Sequence, residues 1–341
     1  MKISLSRIAA LTVLAGFTSM SAMAQDQTIT LKFAHFLPLT HPIWLNGGKK
    51  FTDEVTSLTN GRVKFEVYPS NQLGSDALAT LKSGLADITI LAPSYQPDKL
   101  PLTSVAELPN MSSTSCEGTR RLDAIGKGDG ILNQLEYRPQ GFRPIFFDVL
   151  AQYKIMTTSR QINTPQDVHG VKIRANGVAM EKTIRALGAV PVKVVSGEMY
   201  DSLTRGTIDG GFYPYDGVKP YKLQTVIQNS VDGLRLGTGT IIFAISNKTW
   251  NGLPDDVKAA ITKAGSVAQE TLCQSQDDAE ARLADEFTKQ NNWKTVHLNK
   301  EQAAQWAEKT KSVTQDWAKE LDRAGKKGTE VLNAYQNVST K

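Results

Sequence analysis

Two segments of this chain follow the same plan, and this internal repeat limits the fold more than any other feature. LGSDALATLKSGLADITILAP (73–93) and SGEMYDSLTRGTIDGGFYP (196–214) share a glycine, a leucine, a second glycine, an aspartate and a proline. Each copy predicts a helix, a glycine stop and a strand that leads into a loop with aromatic residues. Either this is helix-stop chemistry that any α/β protein reuses, or the chain has two similar lobes whose strand ends face one cleft.

Strands and helices alternate around both copies. Strands are predicted at 28–34, 62–68, 87–91, 143–149, 153–158, 171–175, 190–195 and 208–213. Helices are predicted around 42–60, 75–83, 178–187 and 197–205, and a long one begins at Pro254 and runs past Phe287. This order predicts parallel βαβ units and an open α/β sheet in each lobe. Two such lobes facing each other form a clamshell.

The first 24 residues have the pattern of a secretory signal peptide. Lys2 and Arg7 precede an apolar run from Ile8 to Phe17, and Ala22-Met23-Ala24 fits a cleavage site. The apolar run is too short to span a bilayer. We therefore expect export with cleavage near Ala24, and the remaining chain is long enough for two domains.

Composition and motifs argue against several classes of function. The net charge of +5 is spread along the chain without a basic stripe, so nucleic-acid binding has no support. G-x-S-x-G, Walker and H-E-x-x-H motifs are absent, and the four histidines have no metal-ligand spacing. We expect no metal, no cofactor and no catalytic centre, although a catalytic set assembled from distant residues is compatible with the sequence.

The chain has two cysteines, Cys116 and Cys273. In an oxidising compartment they form a disulfide or stay as two separate buried thiols. Their number and spacing do not decide between these alternatives.

Arg174 is the main candidate for ligand binding. In DVHGVKIRANG (167–177), apolar and charged residues alternate up to Arg174, and Asn176-Gly177 then signals a turn. A guanidinium keeps its charge and is costly to bury unpaired, and its planar fork can hold a carboxylate through two hydrogen bonds. Its partner is either an internal acid, such as Glu181 or Asp201, or the carboxylate of a ligand.

Further candidates lie at the strand ends that the repeat places beside the cleft. They are His35, Phe36 and Trp44 after the first strand, Ser94 and Tyr95 in the first repeat loop, and Ser196, Phe212 and Tyr213 in the second copy. For each aromatic residue, ordinary packing is the alternative explanation. Aromatic residues in both repeat loops nevertheless favour a cleft with an aromatic lining.

Several segments resemble the substrate-binding component of tripartite ATP-independent periplasmic (TRAP) transporters of the DctP family. They are LKFAHFLPLTHP, GRVKFEVYPSNQLGS, LKSGLADITI, INTPQDVHGVKIRANG, GAVPVKVVSGEMYDSLTRGTIDGGFYP and IIFAISNKTW. The most specific part is D-x-x-G-x-K-x-R followed by E-x-Y-x-x-L-x-x-G-x-x-D-G.

The resemblance implies a periplasmic-binding-protein clamshell with an open α/β sheet in each lobe and a long helix spanning both lobes. We expect lobe I to comprise 25–150 plus 239–278, and lobe II to comprise 151–238 plus 279–341. The family's carboxylate-gripping arginine falls on Arg174. The closed form would deliver a small organic acid to a permease with a large and a small membrane subunit.

Departures from the family pattern bear on the ligand. Many members carry a second arginine where this chain has Lys154, which attracts an anion but has no planar fork. Ala92-Pro93 replaces the acidic residue of sialic-acid-binding members, and Tyr213 and Phe36 make the pocket more aromatic than a sugar-acid site. We therefore expect an organic acid with an apolar or aromatic skeleton, or a dicarboxylate, held by Arg174 with Lys154 as an auxiliary charge.

The expected protein is a periplasmic, monomeric receptor without catalytic activity. One rival is an exported hydrolase or lyase with two α/β lobes, suggested by His35 near the cleft. Another rival is a receptor that presents its ligand to a sensor protein.

Overall fold

Two mixed sheets form the cores of two lobes. The computed structural model describes residues 28–289 and 293–339, so the predicted signal peptide at 1–24 lies outside the described residues. The strands are β1 (Ile29–Ala34), β2 (Val63–Tyr68), β3 (Ile88–Leu91), β4 (Phe142–Val149), β5 (Lys154–Thr157), β6 (Lys172–Ala175), β7 (Val190–Lys193), β8 (Gly210–Tyr213), β9 (Asn229–Asp232), β10 (Thr240–Ser246) and β11 (Lys294–His297). Lobe I contains the sheet β2-β1-β3-β10-β4, and lobe II contains the sheet β11-β9-β5-β8-β6-β7.

Helices cover both sheets. The α-helices are α1 (Lys50–Leu58), α2 (Ala77–Ser83), α3 (Ser115–Gly126), α4 (Val178–Ala186), α5 (Met199–Thr204), α6 (Asn247–Gly252), α7 (Asp255–Lys289), α8 (Lys300–Thr310), α9 (Val313–Arg323) and α10 (Gly328–Gln336). A π-helical segment, Ile43–Lys49, leads directly into α1. The two-lobed α/β fold predicted from the sequence is confirmed.

The two sheets share their local topology. β1 lies between β2 and β3 with all three strands parallel, and β6 lies between β7 and β8 in the same way. The next strand is antiparallel in both sheets, β10 beside β3 and β5 beside β8. The prediction of parallel units is wrong at these two strands, because each enters its sheet from the other lobe rather than through a helical crossover.

The repeated aspartates occupy equivalent positions in the two lobes. The Asp87 carboxylate accepts a hydrogen bond from the backbone N–H of Lys32, and the Asp209 carboxylate accepts one from Lys172, both at 2.9 Å. In return, the N–H of Asp87 donates to the carbonyl of Lys32 and that of Asp209 to the carbonyl of Lys172. The repeat therefore reflects two similar lobes, with β1 equivalent to β6 and β3 equivalent to β8.

The long helix α7 spans both lobes. Its 35 residues pack against α1, α3 and β4 in lobe I and against β11 and the turn after β8 in lobe II. Within the described chain, no helix combines the length and the apolar character needed to cross a membrane.

Two chain connections lie side by side between the lobes, at 150–153 and 233–239. The N–H of Leu150 donates to the carbonyl of Gly239 at 2.9 Å, and that of Tyr153 donates to Gly237 at 3.1 Å. The paired connections form a short ribbon at the hinge, which brings Tyr153 to the floor of the space between the lobes.

The C-terminal helices contact both lobes. α9 packs on α4 of lobe II, whereas α10 packs on α3 of lobe I, where the Tyr335 hydroxyl donates to the carbonyl of Gly118 at 3.3 Å. The division of the chain between the lobes stays a prediction, and the position of α10 argues against assigning 279–341 to lobe II as a whole.

Cys116 of α3 and Cys273 of α7 form a disulfide, with Cα atoms 4.8 Å apart and a sequence separation of 157 residues. It joins the body of lobe I to the long helix. This resolves the alternative that the sequence left open.

Because the disulfide closes a long loop, its loss should destabilise the protein substantially. We expect the double variant Cys116→Ala, Cys273→Ala to lose about 2 to 5 kcal/mol of unfolding free energy in urea titrations. The unsubstituted protein treated with a reductant should lose a similar amount. An unchanged urea midpoint in both samples would contradict a stabilising role for this bond.

Lobe I buries several carboxyl groups without a cationic partner. Burial raises the pKa of Glu107 to about 8 and that of Asp148 to about 8, and it raises the pKa of Glu136 to about 7. These groups hold their protons in the folded state at a pH where the unfolded chain has released them. Burial has the opposite effect on His35 and His41, whose pKa values fall to about 4 and about 3.

These shifts predict how stability depends on pH. A carboxyl group whose pKa is higher in the folded state contributes its full stability at a pH below its pKa in the unfolded chain. That contribution is lost as the pH rises towards 8. The histidines oppose this trend only below about pH 6.5. We therefore expect the unfolding free energy to fall between pH 6.5 and 8 in urea titrations. Asp148→Asn should make this fall with pH less steep. The control Asp98→Asn, at an exposed residue, should leave it unchanged. An unfolding free energy that rises between pH 6.5 and 8 would contradict the assigned pKa shifts.

Candidate functional site

A cavity lies between the lobes, at the C-terminal ends of β1, β3, β6 and β8. It measures about 470 Å³, its open mouth included. The polar and aromatic residues of its lining are Phe36, His41, Ser94 and Tyr95 of lobe I, Tyr153 and Thr240 at the hinge, and Asn176, Ser196, Tyr213, Asp216 and Tyr221 of lobe II. Aromatic walls with a few polar groups are typical of sites for small molecules.

Arg174 lies directly behind this lining and is fully buried. Its Nε donates to the carbonyl of Val194 at 3.0 Å, its Nη1 to that of Phe212 at 3.4 Å, and its Nη2 to the hydroxyl of Ser196 at 3.1 Å. The guanidinium carbon lies 5.2 Å from the ring centroid of Tyr213. These contacts fix the orientation of the guanidinium with groups of lobe II alone.

The charge of Arg174 has no acidic partner among the described residues. The internal salt bridge to Glu181 or Asp201, which the sequence left as an alternative, is not formed there. Three of the five guanidinium N–H groups are used by protein acceptors, which leaves one donor on each Nη atom. A buried charge without a counter-ion is costly, so the site is electrostatically complete only with an anion.

Tyr95 connects lobe I to the arginine. Its hydroxyl donates to Ser196 Oγ at 3.1 Å and accepts from the backbone N–H of Ser196 at 3.1 Å. Ser196 Oγ therefore accepts hydrogen bonds from both Arg174 and Tyr95. The predicted candidates Arg174, Ser196 and Tyr95 form one hydrogen-bonded group across the cleft.

A second contact between the lobes lies beside it. Asn176 Nδ2 donates to Ser94 Oγ at 3.0 Å. Gly177 follows with φ of +88°, and a Cβ atom there would lie 2.7 Å from the Cβ of Ser94. The lobes are thus closed on each other, and only glycine suits both the backbone and the close approach.

The cavity wall is aromatic, as predicted for Phe36, Tyr95 and Tyr213. The rings of Phe36 and Tyr95 meet edge to face at 5.5 Å. Burial raises the pKa of the Tyr213 phenol above its usual value, and it does the same for Tyr153 and Tyr221. These phenols are therefore neutral hydrogen-bonding groups at physiological pH.

Six polar or aromatic lining residues were not among the predicted site residues: His41, Tyr153, Asn176, Asp216, Tyr221 and Thr240. Tyr153 is the first residue of the strand predicted at 153–158 but belongs to the hinge connection, and Tyr221 lies in an irregular loop without a periodic pattern. His41 precedes Pro42, and its Nδ1 accepts a hydrogen bond from the N–H of Ile43 at 3.2 Å. Burial, assisted by the nearby His35, lowers the pKa of His41 to about 3, so the neutral ring carries its proton on Nε2.

Lys154 lies outside the cavity lining. Its ammonium donates to the carbonyl of Gln152 at 2.9 Å, pairs with Glu280 of α7 and lies 3.9 Å from Asp232. Burial lowers the pKa of Lys154 to about 8 against the opposing effect of nearby carboxylates. The predicted role as an auxiliary charge for the ligand is not supported, because β5 begins at Lys154 and this side chain turns towards α7.

His35, Trp44 and Phe212 are also placed away from the cavity. His35 stacks on Trp44 with ring centroids 4.3 Å apart, and both are buried in the core of lobe I. Phe212 is a core residue that contributes its carbonyl to Arg174. The position of His35 removes the observation that suggested a hydrolase or lyase.

Comparison with known proteins gives a consistent result. The chain matches the family described as bacterial extracellular solute-binding protein, family 7 (DctP), over residues 33–320. A solute-binding protein of Roseobacter denitrificans is 30% identical over 77% of this chain and 79% of its own. The C4-dicarboxylate-binding periplasmic protein DctP of Rhodobacter capsulatus is 28% identical over 72% of this chain and 73% of its own.

The fold is also similar to a solved structure. A TRAP solute-binding protein from Rhodoferax ferrireducens, crystallised with copurified benzoate, gives a TM-score of 0.81 at 24% identity and covers 91% of this chain and 97% of that one. This likeness supports the two-lobed architecture. With the family match over most of its length, the chain belongs to the DctP family of bacterial extracellular solute-binding proteins.

Proposed function

We propose that this protein is a periplasmic receptor that captures a small organic acid between its lobes and delivers it to a TRAP permease. The observation that carries the proposal is Arg174, a fully buried guanidinium with no acidic partner in the described chain and a free donor on each Nη. A ligand carboxylate supplies the missing counter-charge and matches the planar fork. The ligands of the two named relatives, a C4-dicarboxylate and benzoate, are both carboxylates.

The residues have distinct roles in this proposal. Arg174 holds the carboxylate, and Ser196 and Tyr95 couple it to closure of the lobes. Tyr213 stacks against the guanidinium, and Phe36 and Ser94 shape the wall on the side of lobe I. Lys154 is left out because it is paired with Glu280 and Asp232, and His35, Trp44 and the Phe212 side chain are left out because they pack in the core.

The partners are the large and small membrane subunits of the permease, and the receptor acts as a monomer after removal of an N-terminal signal peptide. It acts without catalysis. Incubation with its tightest-binding acid, followed by mass spectrometry, should return that acid unaltered; a new product would favour the enzyme instead.

Loss of the guanidinium fork should weaken ligand binding. A charge-assisted contact of this kind contributes roughly 1.5 to 3 kcal/mol, so we expect Arg174→Lys to raise Kd for the best acid about 10- to 150-fold. Isothermal titration calorimetry on the ligand-free protein, after a thermal-shift screen of organic acids, measures this directly.

The exposed Arg185 on α4 provides the matched control, and Arg185→Lys should leave Kd unchanged. Circular dichroism confirms that each variant is folded before titration. If folded Arg174→Lys binds the acid as tightly as the unsubstituted protein, the proposed clamp is wrong.

Closure should depend on Gly177. In Gly177→Ala, the new Cβ collides with Ser94 only in the closed form, so the closed population and the apparent affinity should fall, on the order of tenfold. The positive φ should separately lower the unfolding free energy by roughly 1 to 3 kcal/mol.

A second substitution separates these two effects. Ser94→Gly in the Gly177→Ala background removes the contact with the Ser94 Cβ but leaves the one with its Cα at 2.9 Å. It should therefore restore only part of the affinity and none of the stability. Ser94→Gly alone corrects for the lost hydrogen bond to Asn176. Unchanged affinity in Gly177→Ala would show that this contact does not control closure.

A further inference from the structure

The similarity of the two lobes shows that lobe I has no cation at the position equivalent to Arg174. Lys32 in β1 is equivalent to Lys172 in β6, because each exchanges hydrogen bonds with the repeated aspartate. Counting two residues on, Arg174 is equivalent to Ala34, and Asn176 is equivalent to Phe36. Lobe II therefore places a guanidinium directly behind the cavity lining, whereas lobe I has a methyl group at the equivalent position and contributes the phenyl ring of Phe36 to the lining.

The remaining charges around the cavity also oppose a second ligand carboxylate. Among the lining residues that the structure describes, Asp216 is the only carboxylic acid and there is no lysine or arginine. Lys154 is held by Glu280 and Asp232. A ligand with two carboxylates would find one cation and one acid, and its second charge would be buried unpaired.

The cavity does offer neutral polar groups. Within the described part of the chain, the hydroxyls of Tyr153 and Tyr221 have no hydrogen-bond partner, although both residues line the cavity. The rings of His41 and Tyr221 lie 5.6 Å apart, and the free Nε2 of His41 carries a proton. Asp216 Oδ2 is buried and unpartnered, so it can accept a hydrogen bond.

We infer that the cognate ligand is a hydroxy-substituted monocarboxylate with an aromatic or apolar body, and that the site rejects dicarboxylates. The inference rests on the proposed function, since it assumes that Arg174 holds the carboxylate. A hydroxyl both accepts from the neutral donors and donates to Asp216, whereas a second carboxylate can only accept. His41, Tyr221 and Asp216 are then the residues that determine specificity.

Calorimetry at pH 7.5 with a matched set of acids tests this inference. The set is benzoate, 3-hydroxybenzoate, 4-hydroxybenzoate, benzene-1,3-dicarboxylate and succinate. We expect the better hydroxybenzoate to bind about 2- to 10-fold more tightly than benzoate, the effect of one neutral hydrogen bond. Both dicarboxylates should bind at least about 30-fold more weakly than benzoate, since a carboxylate would be buried without a partner.

Variants connect these ratios to the named residues. Tyr221→Phe removes one hydroxyl, and His41→Asn removes the Nε2 donor while keeping an acceptor for the N–H of Ile43. At least one of them should bring the affinity ratio of hydroxybenzoate to benzoate close to one. Asp216→Asn should reduce the discrimination against benzene-1,3-dicarboxylate about tenfold. Tyr200→Phe, on α5 outside the cavity lining, is the control and should change neither ratio.

Three possible failures have different meanings. If a dicarboxylate binds more tightly than every monocarboxylate, and Arg174→Lys weakens that binding at least about tenfold, the inference is overturned and the proposed function stands. If hydroxybenzoates show no advantage in the unsubstituted protein, the role given to His41, Tyr221 and Asp216 is wrong. If Arg174→Lys leaves the binding of every acid unchanged, the proposed function itself is wrong.

Discussion

The site depends on the guanidinium of Arg174, which the protein itself buries fully. Two carbonyls and one hydroxyl of lobe II hold Arg174 in place, yet none of these acceptors neutralises its charge. The cost of burying that charge makes an anion part of the completed structure. Because Ser196 Oγ accepts from Arg174 and also from Tyr95, the group that orients the clamp is the group that contacts the opposite lobe. In the proposed function, binding of a carboxylate and closure of the lobes therefore act on the same hydrogen bonds.

The duplicated fold explains why the site can be asymmetric. Both lobes use the same pattern of parallel strands and the same aspartate bonds to a neighbouring strand, so the strand ends of both reach the cleft. The shared backbone determines only where the side chains lie at the cleft. Side chains at equivalent positions then differ, because lobe II has Arg174 where lobe I has Ala34. In the proposed function, lobe II supplies the charge that selects an acid, and lobe I supplies the apolar surface that selects its carbon skeleton.

Short periodic segments were predictable, and connections between lobes were not. β6 and β8 lie within two residues of their predicted bounds, and Arg174 and Tyr213 followed from strand ends and family resemblance. β9 and β11 have four residues each and weak apolar patterns, so no strand was predicted there. Tyr153 reaches the cavity only because the two hinge connections pair, a contact between residues far apart in sequence. Lys154 was misplaced for the same reason, since the chain order does not show that β5 starts against α7.

The position of Lys154 finally bears on which acid the cavity accepts. To serve a second ligand carboxylate, its ammonium would have to leave Glu280 and Asp232. Lys154 is buried, but the side chains of Glu280 and Asp232 stay 26% and 27% exposed, so breaking these contacts costs less than the roughly 3 to 5 kcal/mol of a fully buried ion pair. A new charge-assisted hydrogen bond returns only about 1.5 to 3 kcal/mol. The exchange therefore brings little gain, and the lysine at this position is tied to α7 instead of lining the ligand site.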